Sequence, residues 1–587
     1  MMTTIRRIDP AYWYVGMRNS HLQLMVWGEG IAGVRQVTTD YPGVTIEKVV
    51  CLESPNYLFI YIDIGKAKAG VMTLHIGAVA VDYELRRRER KGQQRKSFSM
   101  ADVIYLLMPD RFAQGSNHPD YVEGMRPYQE DRSQPSLRHG GDLNGIREHL
   151  DYFCQLGVTA LWLTPVLENN SADTDSGFSS YHGYAVTDYY RVDPRLGTLD
   201  DYRRLCDEAH GKGLKIVMDM VFNHCGIDHP WLSDPPSADW VNGTPDHHVA
   251  TSYKLTSVLD PYASRIDRQE TVEGWFTPTM PDLNQRNPHL MRYLIQNTKW
   301  WIETVGVDGI RMDTYPYADA EAMNQWLQEI REEYPHFNVV GETWVTEPAY
   351  TATWQRELPT VMDFAFYDRV GKAVDEETDD WWHGMNRVYN TLVYDFLYPH
   401  PESVMAFLDN HDTDRFLHGR RDVLRLKQAL ALLLTVRRIP QIYYGTEILM
   451  NGTADHTDGD IRRDFPGGFP DDSRSAFTAE GRTRTEQELF RWLSRLLHWR
   501  QGSEVIARGR QLHFIPYRGI YVVARQYQNQ IVLTILNGTS KAVVMPIARY
   551  AEVIGDTSHA KDVLTHRYYD LSQDLRLKPR QSLVLEF

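Results

Sequence analysis

Cysteine is scarce in this chain: four in 587 residues, Cys51, Cys154, Cys206 and Cys225, widely spaced and without a CxxC pair. That excludes a disulfide framework and gives no zinc-ligand spacing; buried thiols are expected. Long apolar runs are also missing, so nothing in the sequence suggests a membrane span, which needs about 20 consecutive apolar residues. The first residues, Met1-Met2-Thr3-Thr4-Ile5-Arg6-Arg7, lack the apolar stretch of a secretory leader. The reading is a soluble protein, cytoplasmic as written, or periplasmic if a leader once stood before the doubled Met. Positive charge is in deficit as well. A net charge of −15 argues against nucleic acid or an anionic membrane surface as the main partner, since either needs a basic face. No internal repeat and no low-complexity tract breaks the chain.

What is present divides into three parts. Residues 1–96 alternate apolar and polar at strand period, as in His21-Leu22-Gln23-Leu24-Met25-Val26-Trp27 and Tyr57-Leu58-Phe59-Ile60-Tyr61-Ile62, and are expected to form a β-sandwich. Its aromatics Trp13, Tyr14 and Trp27 are expected in the core, and the basic run from Arg86 to Lys96 as a solvated strand end and linker. Residues 97–502 switch to strands alternating with helices. The strands are predicted at Val103–Met108, Val158–Thr164, Leu214–Val221, Val307–Met312, Phe337–Gly341, Val361–Phe366, Val404–Leu408 and Gln441–Tyr444. Helices are predicted at Leu143–Leu156, Leu199–Gly211, Leu290–Val305, Ala320–Tyr334, Asp422–Arg437 and Glu486–Gln501. Eight βα units specify a TIM barrel of the α/β class. The interval after the third strand is too long for a loop, and residues 225–288 are read as a protruding subdomain walling one side of the site. Residues 503–587 return to alternation and form a C-terminal antiparallel β-domain.

Three apolar strands end in acid: Asp313 after Gly309-Ile310-Arg311-Met312, Glu342 after Val339-Val340-Gly341, and Asp412 in Leu408-Asp409-Asn410-His411-Asp412. One strand-end Asp is most simply a helix N-cap. Three of them, with Arg311 and His411 alongside, make a site, because such barrels gather catalytic groups from the C-terminal ends of different strands. Cleavage of a glycosidic bond with retention needs a carboxylate nucleophile and a protonated carboxyl about 5 Å apart. Asp313 and Glu342, on neighbouring strands, suit those roles. Arg311 lies two residues before Asp313 and faces the same way in strand periodicity, where its charge favours the carboxylate. An apolar approach and Trp344 would bury Glu342 and hold its proton. Asp412 would grip sugar hydroxyls as positive charge develops. His182, His224 and His411 suit hydroxyl contacts, and Tyr184 a stacking platform. A hydrolytic metal centre is the competing chemistry, but no HxH or HExxH pair occurs at these strand ends, and Arg311 would place a cation beside the metal.

These residues sit in an ordered series: Gly157 to Pro165, Tyr181-His182-Gly183-Tyr184, Asp219 to His224, Met280-Pro281-Asp282-Leu283-Asn284, Gly309 to Asp313, Gly341-Glu342-Thr343-Trp344, Leu408 to Asp412, and Ile439 to Gly445. The series resembles the α-amylase family of glycoside hydrolases, in its cyclomaltodextrinase, neopullulanase and maltogenic amylase branch, over roughly residues 101–500. The resemblance implies Asp313 as nucleophile, Glu342 as acid/base and Asp412 as transition-state stabiliser, with His182, Tyr184, His224, Arg311 and His411 lining the subsite beside the cut. It implies a bacterial α-glucan hydrolase acting on cyclomaltodextrins, maltooligosaccharides, pullulan and starch, with no cofactor for catalysis and a homodimer through the N-terminal domain. A transglycosylase of the same fold shares the covalent intermediate. A catalytically silent glucan-binding scaffold is disfavoured by the presence of all three acids.

Structural calcium is also implied, at Asn117, Asp120, Gly140 and Asp142, although Gln114 and Ser116 replace the usual Asn and Asp. Two further departures stand out. Thr314-Tyr315-Pro316-Tyr317 replaces the branch's frequent Val-Ala-Asn-Glu and looks more like the neopullulanases of gut bacterial starch-utilisation systems. Arg438 stands where Gly is usual.

Overall fold

The computed structural model describes residues 4–587 apart from 120, 121, 126–129, 172–178, 379, 420 and 456. At its centre eight parallel strands close into a barrel in sequence order. They are β1 (Ile104–Leu107), β2 (Ala160–Leu163), β3 (Lys215–Met220), β4 (Gly309–Met312), β5 (Asn338–Gly341), β6 (Thr360–Met362), β7 (Val404–Phe407) and β8 (Ile439–Tyr443). Every predicted strand is present. The sixth is shorter than expected because Asp363 caps a helix, Phe364–Asp375, by accepting from the Phe366 amide at 2.9 Å, which turns the second half of that apolar run helical. The predicted helix over 143–156 is likewise two helices, Leu143–Glu148 and Leu150–Leu156, broken at His149.

The first sixth of the chain forms two four-stranded sheets. Alternation is clean in Gly70–Ile76, whereas His21–Trp27 and Tyr57–Asp63 are buried on both faces. Their second face packs on the barrel: the Gln23 amide donates to Gln296 Oε1 at 2.8 Å, and Phe59 lies 5.0 Å from the His289 ring. Trp13 and Tyr14 are core residues, as expected, and Trp27 is half-buried. The basic run departs from expectation. Arg95 is buried and Arg88 partly so, and they share Glu303, at 3.1 and 2.8 Å, on the barrel helix Pro288–Val305; Arg88 also pairs with Glu333. A buried carboxylate needs such partners, so these arginines dock the sandwich on the barrel rather than solvating a linker.

After β3 the chain makes only short helices (Pro230–Ser233, Thr256–Leu259, Arg265–Glu273) before Pro288–Val305. Buried Trp231, Trp240 and Trp275, with bridges pairing His224 to Asp282 and Val241 to Leu283, fold this excursion back over the barrel mouth. Beyond residue 509 a six-stranded and a two-stranded sheet close the chain. Among the described residues no helix is long and apolar enough to cross a membrane, and all four cysteines are free.

Arg438 is explained by packing. It is buried before β8, donates to Asp395 Oδ1 at 2.6 Å and to Asp363 Oδ2 at 3.1 Å, and so neutralises two carboxylates of the connection between β6 and β7. Breaking a buried pair by removing one partner costs about 3–5 kcal/mol. Arg438→Ala should therefore lower the urea unfolding free energy by about that amount; a loss below about 1 kcal/mol would mean that solvent already screens the cluster.

Candidate active site

β4 carries two of the site's groups on one face. Arg311 is fully buried, and its guanidinium meets three carboxylates: Nη1 donates to Asp313 Oδ1 at 2.7 Å and to Asp219 Oδ1 at 2.9 Å, while Nη2 pairs with Glu342 Oε1 at 2.8 Å. One rigid fork thus collects the ends of β3, β4 and β5. Asp219 also accepts from Trp162 Nε1 (2.9 Å) and the Tyr184 hydroxyl (3.0 Å). The sequence series contains Asp219, yet its part in holding Arg311 appears only in three dimensions.

Burial dominates the electrostatics. It raises Glu342 to about 8, against the attraction of Arg311 and with help from the charges of Asp313 and Asp412. Burial likewise raises Asp219 to about 7. Burial first, then neighbouring arginines, pushes His182 and His411 well below the ordinary imidazole value, and burial lowers His224 as well. Neutral imidazoles both donate and accept, which suits hydroxyl groups. His224 Nε2 is buried without a hydrogen-bond partner at the pocket wall.

The residue after Asp313 has a further part. Thr314 sits at φ 43°, ψ 36°, the left-handed region that costs a β-branched residue roughly 1–2 kcal/mol. That turn aims its amide at Glu342 Oε2 (2.9 Å) and its hydroxyl at Asp313 Oδ2 (3.0 Å). Threonine here bonds to both strand-end acids, which a valine hydroxyl-free side chain could do for only one. In the Tyr181–Tyr184 element, Gly183 is at φ +89° and an added Cβ would come 2.3 Å from the Pro165 carbonyl oxygen, so only glycine turns the chain there. The turn sets Tyr184 parallel to His411, ring centroids 5.3 Å apart, with its hydroxyl 2.7 Å from His411 Nε2.

Asp412 completes the rim. Its Oδ2 lies 3.1 Å from His411 Nε2 and its Oδ1 accepts from Arg462 at 2.8 Å. Arg462 also donates to the His411 carbonyl at 2.7 Å. It lies fifty positions downstream in an irregular loop, where no periodicity marks it. Asp313, Glu342 and Asp412 open into one cavity of ≈ 260 Å³ with His182, Tyr184, His224 and Trp344, and the excursion after β3 adds Phe276, Thr277 and Met280 to its wall. Trp344 is half exposed and stacks on Phe364 at 5.0 Å. A larger cavity, ≈ 360 Å³, lies between the N-terminal sheets and the barrel around Arg7, Asp9 and Asp188. It holds none of the three strand-end acids, so size alone does not identify the site.

A closed parallel barrel with three acids at its C-terminal rim, two of them sharing one buried guanidinium, has the equipment of a glycosidase. The chain belongs to the α-amylase family of glycoside hydrolases: residues 106–509 match the α-amylase catalytic domain, 7–89 the cyclomaltodextrinase N-terminal domain and 511–586 the cyclomaltodextrinase C-terminal domain. It is 28% identical to a cyclomaltodextrinase of Thermoanaerobacter pseudethanolicus, over 82% of this chain and 77% of that one. It is 30% identical to neopullulanase 2 of Thermoactinomyces vulgaris, over 76% and 71%. Among solved structures, an Anoxybacillus α-amylase superposes with a TM-score of 0.68 at 29% identity, covering 83% of this chain and 98% of that one.

Among the described residues, those expected to hold calcium do not fit an ion in this arrangement. Asp120 lies outside the described residues, and Asn117 is exposed. Of the Asp142 oxygens, Oδ1 accepts from the Gly115 and Gly145 amides (3.1 and 2.7 Å) and caps Leu143–Glu148, while Oδ2 faces His118 Nδ1 at 2.9 Å. His118 Nε2 lies 3.1 Å from Glu130 Oε1. Ionised carboxylates only accept, so both ring nitrogens donate and the imidazolium brings the positive charge. Burial opposes this, but the bonds to Asp142 and Glu130 prevail and lift His118 to about 9. Among the described residues, the oxygens left over fall short of the six to eight calcium prefers. Thermal melts with added calcium or with chelator should agree to about 1 °C, and His118→Ala should lower Tm by about 2–4 °C. A calcium-dependent rise in the parent's Tm would overturn this reading.

Proposed function

We propose that the chain hydrolyses α-1,4-glucosidic bonds of cyclomaltodextrins, maltooligosaccharides, pullulan and starch by double displacement. Asp313 is the nucleophile, Glu342 the acid/base and Asp412 the stabiliser of the distorted, positively charged ring. The observation that carries this reading is the sharing of the Arg311 guanidinium between Asp313 and Glu342, combined with burial that lifts Glu342 to about 8. Two carboxyls on the two terminal nitrogens of one planar group are held close, as direct attack on an anomeric carbon requires.

In the first step Glu342 gives its proton to the glycosidic oxygen while an Asp313 oxygen bonds to the anomeric carbon. The leaving sugar departs and a glycosyl ester remains on Asp313. Glu342, now a carboxylate beside Arg311, takes a proton from water, whose oxygen then displaces Asp313. Positive charge developing on the ring is met by Asp412, which His411 and Arg462 hold in place. Acid, nucleophile and stabiliser are all side chains, so the chemistry calls for no cofactor.

Glu342→Gln should lower kcat on β-cyclodextrin by roughly 10²–10⁴-fold. In the parent, kcat/KM should hold while Glu342 is protonated and fall as pH rises through about 8. Products should retain the α-anomer, and pullulan should yield panose; release of the β-anomer would overturn the double displacement. Sugar rather than water as the acceptor would show as oligosaccharides longer than the substrate.

The proposal extends to a homodimer through the N-terminal domain, supported by the match of residues 7–89 to cyclomaltodextrinase N-terminal domains. Light scattering should then give twice the 68.1 kDa chain mass, and a monomer at micromolar concentration would remove that extension.

A further inference from the structure

Trp381 and Trp382 are adjacent and left in water, 84% and 72% exposed. Six other tryptophans, Trp162, Trp240, Trp275, Trp300, Trp301 and Trp326, are fully buried, and even Trp344 at the cleft is only 46% exposed. Each exposed ring presents on the order of 200 Å² of surface, and an exposed apolar patch of that combined size marks a contact site. The pair does not hang on a loose loop. Asp380 Oδ1 accepts from the Trp382 and His383 amides (2.9 and 3.0 Å), Asn390 Nδ2 donates to the Trp381 carbonyl (2.9 Å), and Asn386 Nδ2 donates to the Asp380 carbonyl (2.8 Å). The rings are therefore held outward on a fixed turn.

Beside Trp382 opens a hollow of ≈ 490 Å³, lined also by Tyr394, Val393, Asp368, Arg369, Arg387 and Asn390. Aromatic faces alternate there with planar hydrogen-bonding groups, the combination that matches a pyranose, whose faces are apolar and whose rim is hydroxyl. The charged members are already paired, Arg387 with Glu376 at 2.6 Å, Arg369 with Glu347 at 3.2 Å and Asp368 with Lys372 at 2.6 Å. The hollow therefore favours a neutral polyol over a charged partner. The contacts also lead back to the cleft: Glu347 lies three residues after Trp344, and Trp344 stacks on Phe364, which shares a helix with Arg369.

We propose that Trp381, Trp382 and the adjoining hollow form a second binding surface for α-glucan, which holds a long chain beside the catalytic cleft. The choice of α-glucan rests on the function proposed above.

The test is native electrophoresis through gels containing amylopectin, in the Glu342→Gln background so that the polysaccharide is not digested, comparing Trp381→Ala/Trp382→Ala with its parent. The double variant should bind amylopectin about fivefold more weakly or worse, and in the active enzyme it should lower kcat/KM on starch while leaving β-cyclodextrin turnover and Tm unchanged. Equal retardation of variant and parent overturns the second surface. So does a change of molecular mass in the variant with retardation intact, which would make the patch a subunit contact. Retardation through the tryptophans, together with no cleavage of α-glucan by the enzyme that keeps Glu342, would sink the proposed hydrolysis and leave the binding surface standing.

Discussion

The buried guanidinium of Arg311 is the constraint on which the rest of the site depends. A cation at that depth is costly unless it is paired and its donors are used. Asp219, Asp313 and Glu342 supply the pairing from three consecutive strands. The relation runs both ways: without Arg311 the three acids would face one another in a low-dielectric pocket, and repulsion would drive them apart or fill them with protons. Lysine could not replace it, since a single ammonium cannot meet carboxylates on both sides of a plane.

One cation among three acids leaves a surplus of negative charge, and the surplus is resolved by protons. Burial lifts Asp219 to about 7 and Glu342 to about 8, so near neutral pH these two acids hold protons most readily. Asp313 keeps the shortest bond to Arg311, 2.7 Å, and a hydroxyl bond from Thr314. On the mechanism proposed above, these surroundings would let two chemically similar acids take opposite roles, donor and nucleophile.

Much of this was legible in the sequence because it rests on local pattern. The eight apolar runs, the acids closing three of them and the Arg-x-Asp spacing are each set by strand period, so the barrel and the three strand-end acids could be read directly. The misses share a different cause. Arg88 and Arg95 looked solvated because their partner Glu303 lies more than 200 residues away, and a charge run carries no sign of distant pairing. Arg462 reaches the site from an irregular loop. The bonds His118 makes to Asp142 and Glu130 were not read either, since they depend on which carboxylates a loop brings near.

Helix Pro288–Val305 shows how an accessory domain enters the chemistry. Read from sequence it is amphipathic, yet it is buried on nearly every side, because the N-terminal sheets cover the face that would otherwise meet water. Inward, its Thr298 accepts from Trp326 Nε1 at 2.9 Å; outward, Gln296 pairs with Gln23, Thr304 lies 3.1 Å from the Tyr14 hydroxyl, and Glu303 takes Arg88 and Arg95. This helix delivers the chain to β4, so any slip in it would move Arg311 and Asp313 together. A glycosidase of this design needs its carboxyls held to a fraction of an ångström. Polar contacts on the outer face resist sliding along the helix axis more than apolar packing alone would, because a shift of one residue leaves buried donors and acceptors unpaired. The N-terminal domain thus helps to fix the register of β4 through the structure of a single chain.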